Sequence, residues 1–338
     1  MIEVDGSYGE GGGQILRTSM ALSAVTGLPV RISNIRASRK NPGLAPSHAT
    51  SVEAVAAICD AETEGVYQGS KEIVFKPGAL VGGSFDFDVG TAGSISLVLQ
   101  SCLVPCALAR ARTQLVIKGG TDVNWSPPID YMRLVHLPLL EKFGPSCDLE
   151  IISRGFYPEG GGEVSVEISP AARLDPVDLG SRGQVARIEG VAYAQNLPET
   201  VVTRIKHSAQ KGLVEFPKVS VDSDKRSGHS TGAGLVLAAV CENTILGTST
   251  LGAKGLRSEV IGETTARDLV EVLESGATVD EHMLDQVLPY MALAEGSSVV
   301  MAEEMTQHAQ TNIWVIEKFL GKRFSVENDG ALTRVRSL

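Results

Sequence analysis

The sequence Gly-Glu-Gly-Gly-Gly-Gln at residues 9–14 returns in part as Glu-Gly-Gly-Gly-Glu at residues 159–163, each copy shortly after a tyrosine. Glycine loses more conformational entropy on folding than other residues, so consecutive glycines are expected where the backbone takes positive φ or presses against a ligand or another segment. This recurring motif predicts a chain built by internal repetition. In the first copy, Glu10 lies among the glycines and Arg17 follows in a predicted helix. This combination indicates a site for a phosphate or a metal-bound phosphate.

The composition predicts a soluble, globular chain of two or more domains. The chain has 338 residues, of which 43% are hydrophobic, and no stretch reaches the ~18 uninterrupted apolar residues of a membrane helix. The first residues, Met-Ile-Glu-Val-Asp, contain neither the basic nor the apolar region of an export signal. We therefore expect a cytoplasmic protein without a membrane partner.

The charge distribution limits the ligands that the chain can bind. A net charge of −10 argues against non-specific coating of nucleic acid, which depends on neutralising many phosphates. Residues 1–50 nevertheless hold five basic against three acidic residues, so a small anionic end fits this part of the chain. Cys102 and Cys106, four positions apart in an apolar stretch, are interpreted as core residues rather than a disulfide or a metal pair.

Apolar periodicity predicts three similar units, each of two helices backed by a small sheet, at roughly 1–90, 90–180 and 280–338. Helices are predicted at 14–26, 47–60 (with Ser47 as N-cap), 94–109, 129–143, 281–294 and 307–319. Strands are predicted at 30–33, 72–75, 85–89, 114–118, 148–152, 164–168 and 298–301, with a hairpin of 323–327 and 332–336 across Asp329-Gly330. The third unit is expected to borrow strands from elsewhere in the chain.

Residues 183–276 differ from the rest and are interpreted as an inserted smaller domain. Its predicted elements are strands at 185–194, 235–241 and 244–248, helices at 198–212 and 258–274, and a polar loop at 222–230.

Two segments near predicted helix starts indicate anion binding. Gly-Thr-Ala-Gly-Ser at 90–94 precedes the helix that carries Gln100, and backbone N–H groups at a helix start favour anions. The glycine spacing matches neither the Walker nor the dinucleotide pattern, and the Gln100 amide could instead bond neighbouring backbone. The basic loop at 36–44 contains Arg39, whose guanidinium suits a terminal phosphate, although such loops are commonly only solvated.

Two histidines lie at positions that suit chemistry. His282 shares a helix face with Asp285 and Gln286, a spacing that fits a nucleotide or a metal and also fits an ordinary exposed face. Thr306 is predicted to cap the last long helix, which puts His308 in its first turn. A helix N-terminus disfavours imidazolium, so a neutral ring with a free lone pair is expected near pH 7. Such a ring beside a metal-bound triphosphate can attack phosphorus, and a purely structural histidine is the alternative.

The chain resembles the RNA 3′-terminal phosphate cyclase family from end to end. The most specific match is Arg-Gly-Phe-Tyr-Pro-Glu-Gly-Gly-Gly-Glu-Val at 154–164, which fits the family signature Arg/His-Gly-x-x-Pro-x-Gly-Gly-Gly-x-aliphatic without a gap. Supporting matches are Asp5-Gly6, residues 9–17, Arg39 with Pro42-Gly43-Leu44 and His48, Gly90 to Ser94 with Gln100, residues 119–122, Asp285-Gln286, and His308 with Thr311-Asn312.

The resemblance implies a mixed α/β (α+β) fold of three repeated units, each of two helices on a four-stranded sheet, similar to enolpyruvyl transferases. A smaller α/β domain at 183–276 is then inserted into a catalytic domain formed by 1–182 plus 277–338. The implied partners are ATP and RNA 3′-phosphate ends, without a membrane, and a homodimer is a possible assembly.

The resemblance also implies a reaction. The histidine matching His308 attacks the α-phosphorus of ATP and forms a covalent enzyme-AMP, and the adenylate passes to an RNA 3′-phosphate. The neighbouring 2′-hydroxyl then closes a 2′,3′-cyclic phosphate and releases AMP. Glu10 matches the family's metal-binding carboxylate for Mg²⁺ or Mn²⁺, and Arg39 and His48 are assigned to the RNA phosphate. The positions assigned to ATP are Arg17, Gln100, Tyr131, His282, Met283, Leu284, Asp285 and Gln286.

One departure from the family is His282, which stands where bacterial members have a tyrosine that is thought to stack on adenine. An imidazole can also stack, less well, and His282 is a rival nucleophile with less help from a helix dipole than His308.

Other classes of function remain open at this point. Cyclase-like ribosome-biogenesis factors share the fold but lack the nucleophilic histidine, and enolpyruvyl transferases share only the repeated architecture. A plain binding module would make the glycines, Glu10 and His308 incidental. Because long basic runs are absent, an RNA substrate is expected to be recognised by its terminal few nucleotides.

Overall fold

Four sheets of four strands each form the framework of the protein. The computed structural model describes all residues from 1 to 338. Three of the sheets repeat one topology, in which the first two strands of a unit are parallel and the fourth strand lies between the second and the third. The predicted architecture of repeated α/β units is therefore confirmed.

The first unit contains β1 (Ile2–Asp5), α1 (Gly13–Thr26), β2 (Val30–Ser33), α2 (Pro46–Cys59), β3 (Glu62–Glu64) and β4 (Ile73–Lys76), with strand order β1-β2-β4-β3. The prediction of Ser47 as N-cap of α2 is wrong, because the helix begins at Pro46 with Ala45 as its N-cap. Proline suits the first helical position, since its fixed φ is helical and its missing N–H would have no partner there.

The second unit contains β5 (Gly83–Asp88), α3 (Ile95–Ala107), β6 (Thr113–Gly119), α4 (Ile129–Tyr131), α5 (Leu137–Glu141), β7 (Ser146–Ser153) and β8 (Gly162–Ser169). A π-helical segment, Met132–His136, joins α4 to α5. The strand order is β5-β6-β8-β7.

The third unit is interrupted by the fourth sheet. After β9 (Asp178–Leu179), the chain forms β10 (Val185–Gln195), α6 (Glu199–Gly212), β11 (Val219–Arg226), β12 (Gly232–Cys241), β13 (Ile245–Leu251) and α7 (Ser258–Ser275). It then completes the unit with α8 (Glu281–Leu293), β14 (Val299–Ala302), α9 (Gln307–Leu320), β15 (Phe324–Asp329) and β16 (Leu332–Ser337). The strand order is β9-β14-β16-β15, so the third unit does borrow a distant strand, as predicted.

The prediction of a polar loop at 222–230 is wrong for residues 222–226. β11 runs through to Arg226 and pairs in parallel with β10 at the edge of the fourth sheet, where its side chains are largely in contact with water. An edge strand with polar side chains does not show the apolar alternation by which strands are recognised.

The two glycine runs are not equivalent positions of the repeat. Residues 9–13 connect β1 to α1, and the corresponding connection in the second unit is 90–94, between β5 and α3. Residues 160 and 161 instead lead into β8, the fourth strand of the second unit, which begins at Gly162. The repetition is real, but it lies in the order of the strands.

The apolar core has two parts. A cluster of 66 buried residues extends through the three repeated units, and a separate cluster of 18 lies between Ile188 and Leu273. No helix combines the length and the hydropathy that crossing a bilayer requires. The division into domains at 183 and 276 stays a prediction.

Candidate active site

The loop between β1 and α1 holds Glu10 against helix α9. Gly9 and Gly11 have φ of +56° and +57°, a region that is costly for other residues. A Cβ on Gly9 would also lie 2.7 Å from Thr311 Oγ1 of α9. The expectation that the first glycine run takes positive φ and a close approach is therefore confirmed.

His308 lies in the first turn of α9 and contacts Glu10. Thr306 caps the helix by accepting a hydrogen bond from the Ala309 N–H at 3.1 Å, as the sequence predicts. His308 Nε2 lies 2.8 Å from Glu10 Oε2, and Arg39 Nη2 lies 3.6 Å from the same oxygen. The fold thus brings together three predicted residues from distant parts of the chain, with the His308 side chain half exposed.

The contact with Glu10 decides which nitrogen of the His308 ring carries a hydrogen. An ionised carboxylate only accepts hydrogen bonds, so the contact requires a hydrogen on Nε2. The Nε2 lone pair therefore becomes available to an electrophile only when Nε2 has given up this hydrogen.

A cleft between α1, α3, α8 and α9 adjoins this contact. Its polar lining consists of Gln14, Arg17, Thr18, Gln100, Asp285, Gln286 and Asn312, and Ala21, Val104, Pro289 and Tyr290 complete it. Four residues predicted to contact a nucleotide, Arg17, Gln100, Asp285 and Gln286, thus line one cleft.

Asp285 is the centre of a hydrogen-bond network that joins the cleft to the helix of His308. Gln14 donates to Asp285 Oδ2 at 2.5 Å and to the His308 carbonyl oxygen at 3.2 Å. Asn312 of α9 donates to the Asp285 carbonyl oxygen at 2.7 Å. Burial raises the pKa of Asp285 to about 6, although the charges of His308 and Arg17 oppose this shift. The network fixes α1, α8 and α9 relative to each other.

Gln14 and Asn312 were not predicted as site residues. Both lie in the matched motifs and both are buried. The available signal was an amide side chain on the apolar face of an amphipathic helix, which needs a polar partner when it is buried.

Arg17 and His48 lie against Gly13 at the start of α1. A Cβ at Gly13 would come within 3.1 Å of Arg17 Nη1 and would overlap with His48 Nε2. Burial, helped by the charges of Arg17 and Arg36, lowers the pKa of His48 to about 3, so its ring is neutral at pH 7. His48 Nδ1 accepts a hydrogen bond from the Ala45 N–H at 3.1 Å, which leaves the hydrogen on Nε2.

Arg17 and His48 form a site of hydrogen-bond donors, and Arg17 also lines the cleft. Burial lowers the pKa of Arg17 to about 10, with the Asp285 charge opposing the shift, so the guanidinium still carries a full charge at neutral pH. Arg17 and His48 together offer N–H groups to an anion.

Other predicted ATP residues do not join the cleft lining. The side chains of Met283 and Leu284 are buried in the main apolar core. Tyr131 is also buried, and its hydroxyl donates to Asp280 Oδ1. His282 is about half exposed and meets the Tyr131 ring edge-on, with the ring centroids 6.1 Å apart. Contacts of these residues with ATP stay a prediction.

The second glycine segment connects the second unit to the fourth sheet. Arg154 has no exposed surface and forms ion pairs with three carboxylates, those of Asp122, Asp130 and Asp224. Its guanidinium also lies 4.1 Å from the centre of the Tyr193 ring. Ser230 accepts a hydrogen bond from the Phe156 N–H and donates to the Gly160 carbonyl. The residues of this segment therefore fix the fourth sheet on the second unit.

The side chains fit a metal ion only in combination with a nucleotide. No group of three or more His, Cys, Asp or Glu side chains is arranged to hold a metal. Glu10 is a single exposed carboxylate with Arg39 beside it. Mg²⁺ is commonly held by one or two carboxylates together with substrate phosphates, which is the one arrangement that Glu10 can supply.

Comparisons with known proteins agree with this arrangement of motifs. The family model described as RNA 3′-terminal phosphate cyclase matches residues 8–326. A protein named RNA 3′-terminal phosphate cyclase from Nitrosospira multiformis is 47% identical over 341 residues, which cover 100% of this chain and 96% of that protein.

Archaeal proteins of the same name give similar values. The one from Pyrobaculum neutrophilum is 47% identical, covering 97% of this chain and 96% of its own length. The one from Methanosarcina mazei is 42% identical, covering 99% of both. A match of this extent, over the glycine loop, the cleft and His308 alike, means that the chain belongs to the RNA 3′-terminal phosphate cyclase family.

Proposed function

We propose that this protein is an ATP-dependent ligase that converts an RNA 3′-phosphate end into a 2′,3′-cyclic phosphate. The observation that carries the proposal is the contact of His308 with Glu10 beside a polar cleft lined by Arg17, Gln100, Asp285 and Gln286. A nucleophile, an acidic group and donors for phosphate thus lie within one site. Family membership supplies the chemical class of the substrates.

In the first proposed step, His308 Nε2 attacks the α-phosphorus of ATP, and the bond to the departing pyrophosphate breaks. The Asp285 network holds the helix of His308 in place, because Gln14 and Asn312 connect it to α1 and α8. Gln100 and Gln286 offer amide groups to the nucleotide in the cleft. Precise positioning of a nucleophile is one of the largest sources of rate enhancement.

In the later steps, an oxygen of the RNA 3′-phosphate takes AMP from His308, and the 2′-hydroxyl then attacks the 3′-phosphorus and expels AMP. Arg17 and His48 form a pair of donors at Gly13, and Arg39 is an exposed cation beside Glu10. We assign these three residues to the phosphates of ATP and of the RNA end. A neutral His48 suits this role because it can donate without titrating near pH 7.

Glu10 would hold Mg²⁺ or Mn²⁺ together with the triphosphate. Such an ion, when bound, neutralises the charge that develops on the leaving pyrophosphate. When Glu10 binds the ion instead of Nε2–H, the neutral His308 ring can carry its hydrogen on Nδ1, which leaves the Nε2 lone pair free to attack.

The test is transfer of label from [α-³²P]ATP to the purified protein in the absence of RNA. We expect acid-labile labelling of the wild type, loss of labelling in His308→Ala, and retained labelling in His282→Ala, which removes an exposed histidine of similar accessibility. Cyclisation of a 3′-phosphorylated oligoribonucleotide should be lost in the same variant.

The competing function is that of a non-catalytic assembly or RNA-processing factor of the same fold. A folded wild type that takes up no label with either metal ion would favour it. Labelling that disappears in His282→Ala alone would mean that the nucleophile is the other histidine.

A further inference from the structure

Three side chains form a stacked column that joins the loop after β1 to helix α9. The rings of Tyr8 and Trp314 stack with centroids 3.9 Å apart and planes 5° apart. Lys318 Nζ lies 4.6 Å above the centre of the Trp314 ring. Since Tyr8 fills the space over one face of Trp314 at a shorter distance, Lys318 has to lie over the opposite face. The face of Tyr8 turned away from Trp314 is called its open face, because no aromatic ring or cation stacks on it.

Tyr8 is exposed and yet held in a fixed position. The residue as a whole keeps 44% of its accessible surface. Its backbone is fixed on both sides, since the Tyr8 N–H donates to the Asp5 carbonyl at 3.2 Å and the Gly11 N–H donates to the Tyr8 carbonyl at 2.9 Å. An exposed aromatic ring that is already ordered binds a flat partner at a low entropic cost.

The column lies beside the reaction centre but outside the nucleotide cleft. Tyr8 is two residues before Glu10 in the same loop. Trp314 is two positions after the cleft residue Asn312 on α9, and at about 100° per residue it points to the opposite side of the helix. Tyr8 is therefore not part of the cleft lining, but it lies in the same loop as Glu10 at the reaction centre.

We infer that the open face of Tyr8 stacks on a nucleobase within the last two nucleotides of the RNA 3′ end. This inference rests on the proposed function and adds a binding residue to it. Every base has a flat face, so stacking on an aromatic ring recognises single-stranded RNA without selecting a sequence. A protein with a net charge of −10 gains little from long-range attraction to phosphates, which makes a stacking contact the favoured means of holding the terminal nucleotides.

The experiment is a cycle of protein and substrate variants in steady-state cyclisation. Substrates are a short 3′-phosphorylated oligoribonucleotide and two versions with an abasic ribose at the last or the next-to-last position. We expect Tyr8→Ala to raise the KM for intact RNA about 5- to 100-fold, the usual range for one lost stacking contact. For the wild type, one of the abasic substrates should have a KM that is higher than that of intact RNA by a similar factor. For Tyr8→Ala, the same abasic substrate and intact RNA should have equal KM values.

Tyr8→Trp restores a flat ring and should return the KM to near the wild-type value. Tyr67→Ala serves as the matched control, because Tyr67 is an exposed tyrosine of the first unit with no aromatic partner. Its KM should not change.

Labelling with [α-³²P]ATP alone separates this inference from the proposed function. If the wild type takes up no label, the proposed function fails, whatever Tyr8 does. If the wild type is labelled and cyclises RNA, but the Tyr8→Ala and abasic effects multiply, Tyr8 contacts no base. If Tyr8→Ala loses labelling by ATP as well, the ring only supports the Glu10 loop, and the inference is overturned.

Discussion

Replacing Arg154 by methionine should destabilise the protein strongly, although the residue is not in the candidate active site. Methionine keeps most of the apolar stem and removes the charge. Arg154 and two of its partners, Asp122 and Asp130, have no exposed side-chain surface. Removal of one member of a buried ion pair leaves the other charge uncompensated, which typically costs about 3–5 kcal/mol.

The structure indicates which carboxylate carries this cost. Asp130 keeps an ion pair with Arg133 at 2.6 Å, and Asp224 keeps one with Arg226 at 2.8 Å. Asp122 keeps no cationic partner: the Thr121 hydroxyl donates to it at 2.6 Å, and the Tyr193 hydroxyl also lies near enough to lower its pKa. We therefore expect the cost of one uncompensated carboxylate, about 3–5 kcal/mol, rather than a multiple of it.

The pH dependence follows from the same carboxylate. Burial raises the pKa of Asp122, and the positive charge of Arg154 opposes that shift. Without Arg154 the folded-state pKa of Asp122 rises further. A carboxyl whose folded-state pKa exceeds its unfolded-state pKa destabilises the protein as the pH rises above the unfolded-state value, and the loss is complete above the folded-state value. The difference between wild type and Arg154→Met should therefore shrink as the pH falls from 7 towards 5.

The assay is urea unfolding followed by far-UV circular dichroism at pH 7 and pH 5, with hydrogen exchange of β10 and β11 to detect loosening of the fourth sheet. Adding Asp122→Asn to Arg154→Met should recover part of the loss, because the amide carries no charge. Arg173→Met, which removes an exposed arginine with two surface ion pairs, should change stability by less than about 1 kcal/mol. An Arg154→Met protein as stable as this control, or no recovery with Asp122→Asn, would refute the reasoning.

Two further predictions concern buried histidines. Gly13→Ala places a Cβ on His48 Nε2, whereas at Gly12 a Cβ would meet only the Arg39 side chain at 3.4 Å. The rate of cyclisation should therefore fall about 100-fold in Gly13→Ala and much less in Gly12→Ala. Equal rates in the two variants would contradict the donor role of His48. Burial lowers the pKa of His136 to about 4, and neither ring nitrogen has a partner. Between pH 4 and about 6.5 this ring is neutral in the folded protein and protonated in the unfolded chain, so it reduces stability as the pH falls through that range, by up to about 3 kcal/mol. The stability of His136→Leu in urea should therefore depend less on pH. An unchanged pH dependence would count against a neutral, buried His136.

The elements that the sequence predicts well are those with strong local signals. The helices α3, α8 and α9 have apolar faces, and Ser94 and Thr306 cap two of them. The hairpin of β15 and β16 follows from its Asp-Gly turn, in which Gly330 has φ of +68°. The strands β3 and β9 were not predicted, because two or three residues are too few to show alternation. β1 was also missed, although Ile2-Glu3-Val4-Asp5 alternates apolar and polar residues.

The sequence predicted the chemistry of the site better than it predicted which residues line it. Glu10, Arg17, Gln100, Asp285 and His308 could be proposed from motifs, since each stands in a short segment whose residue types suit phosphate chemistry. Whether a side chain on α8 faces the cleft or the core depends on the packing of α1, α3 and α9 against it. That packing is a tertiary property, so it distinguishes Gln286 from its neighbours Met283 and Leu284 only in the structure.

The contact of Glu10 with His308 joins residues 298 positions apart, which has a consequence for synthesis on the ribosome. Glu10 is translated long before His308, and β9 cannot pair with β14 until the whole fourth sheet has been translated. Domains fold as they emerge, and non-local strand pairs form late. A nascent chain can therefore assemble its first, second and fourth sheets while its reaction centre is still absent, so the protein acquires chemical competence in one late step.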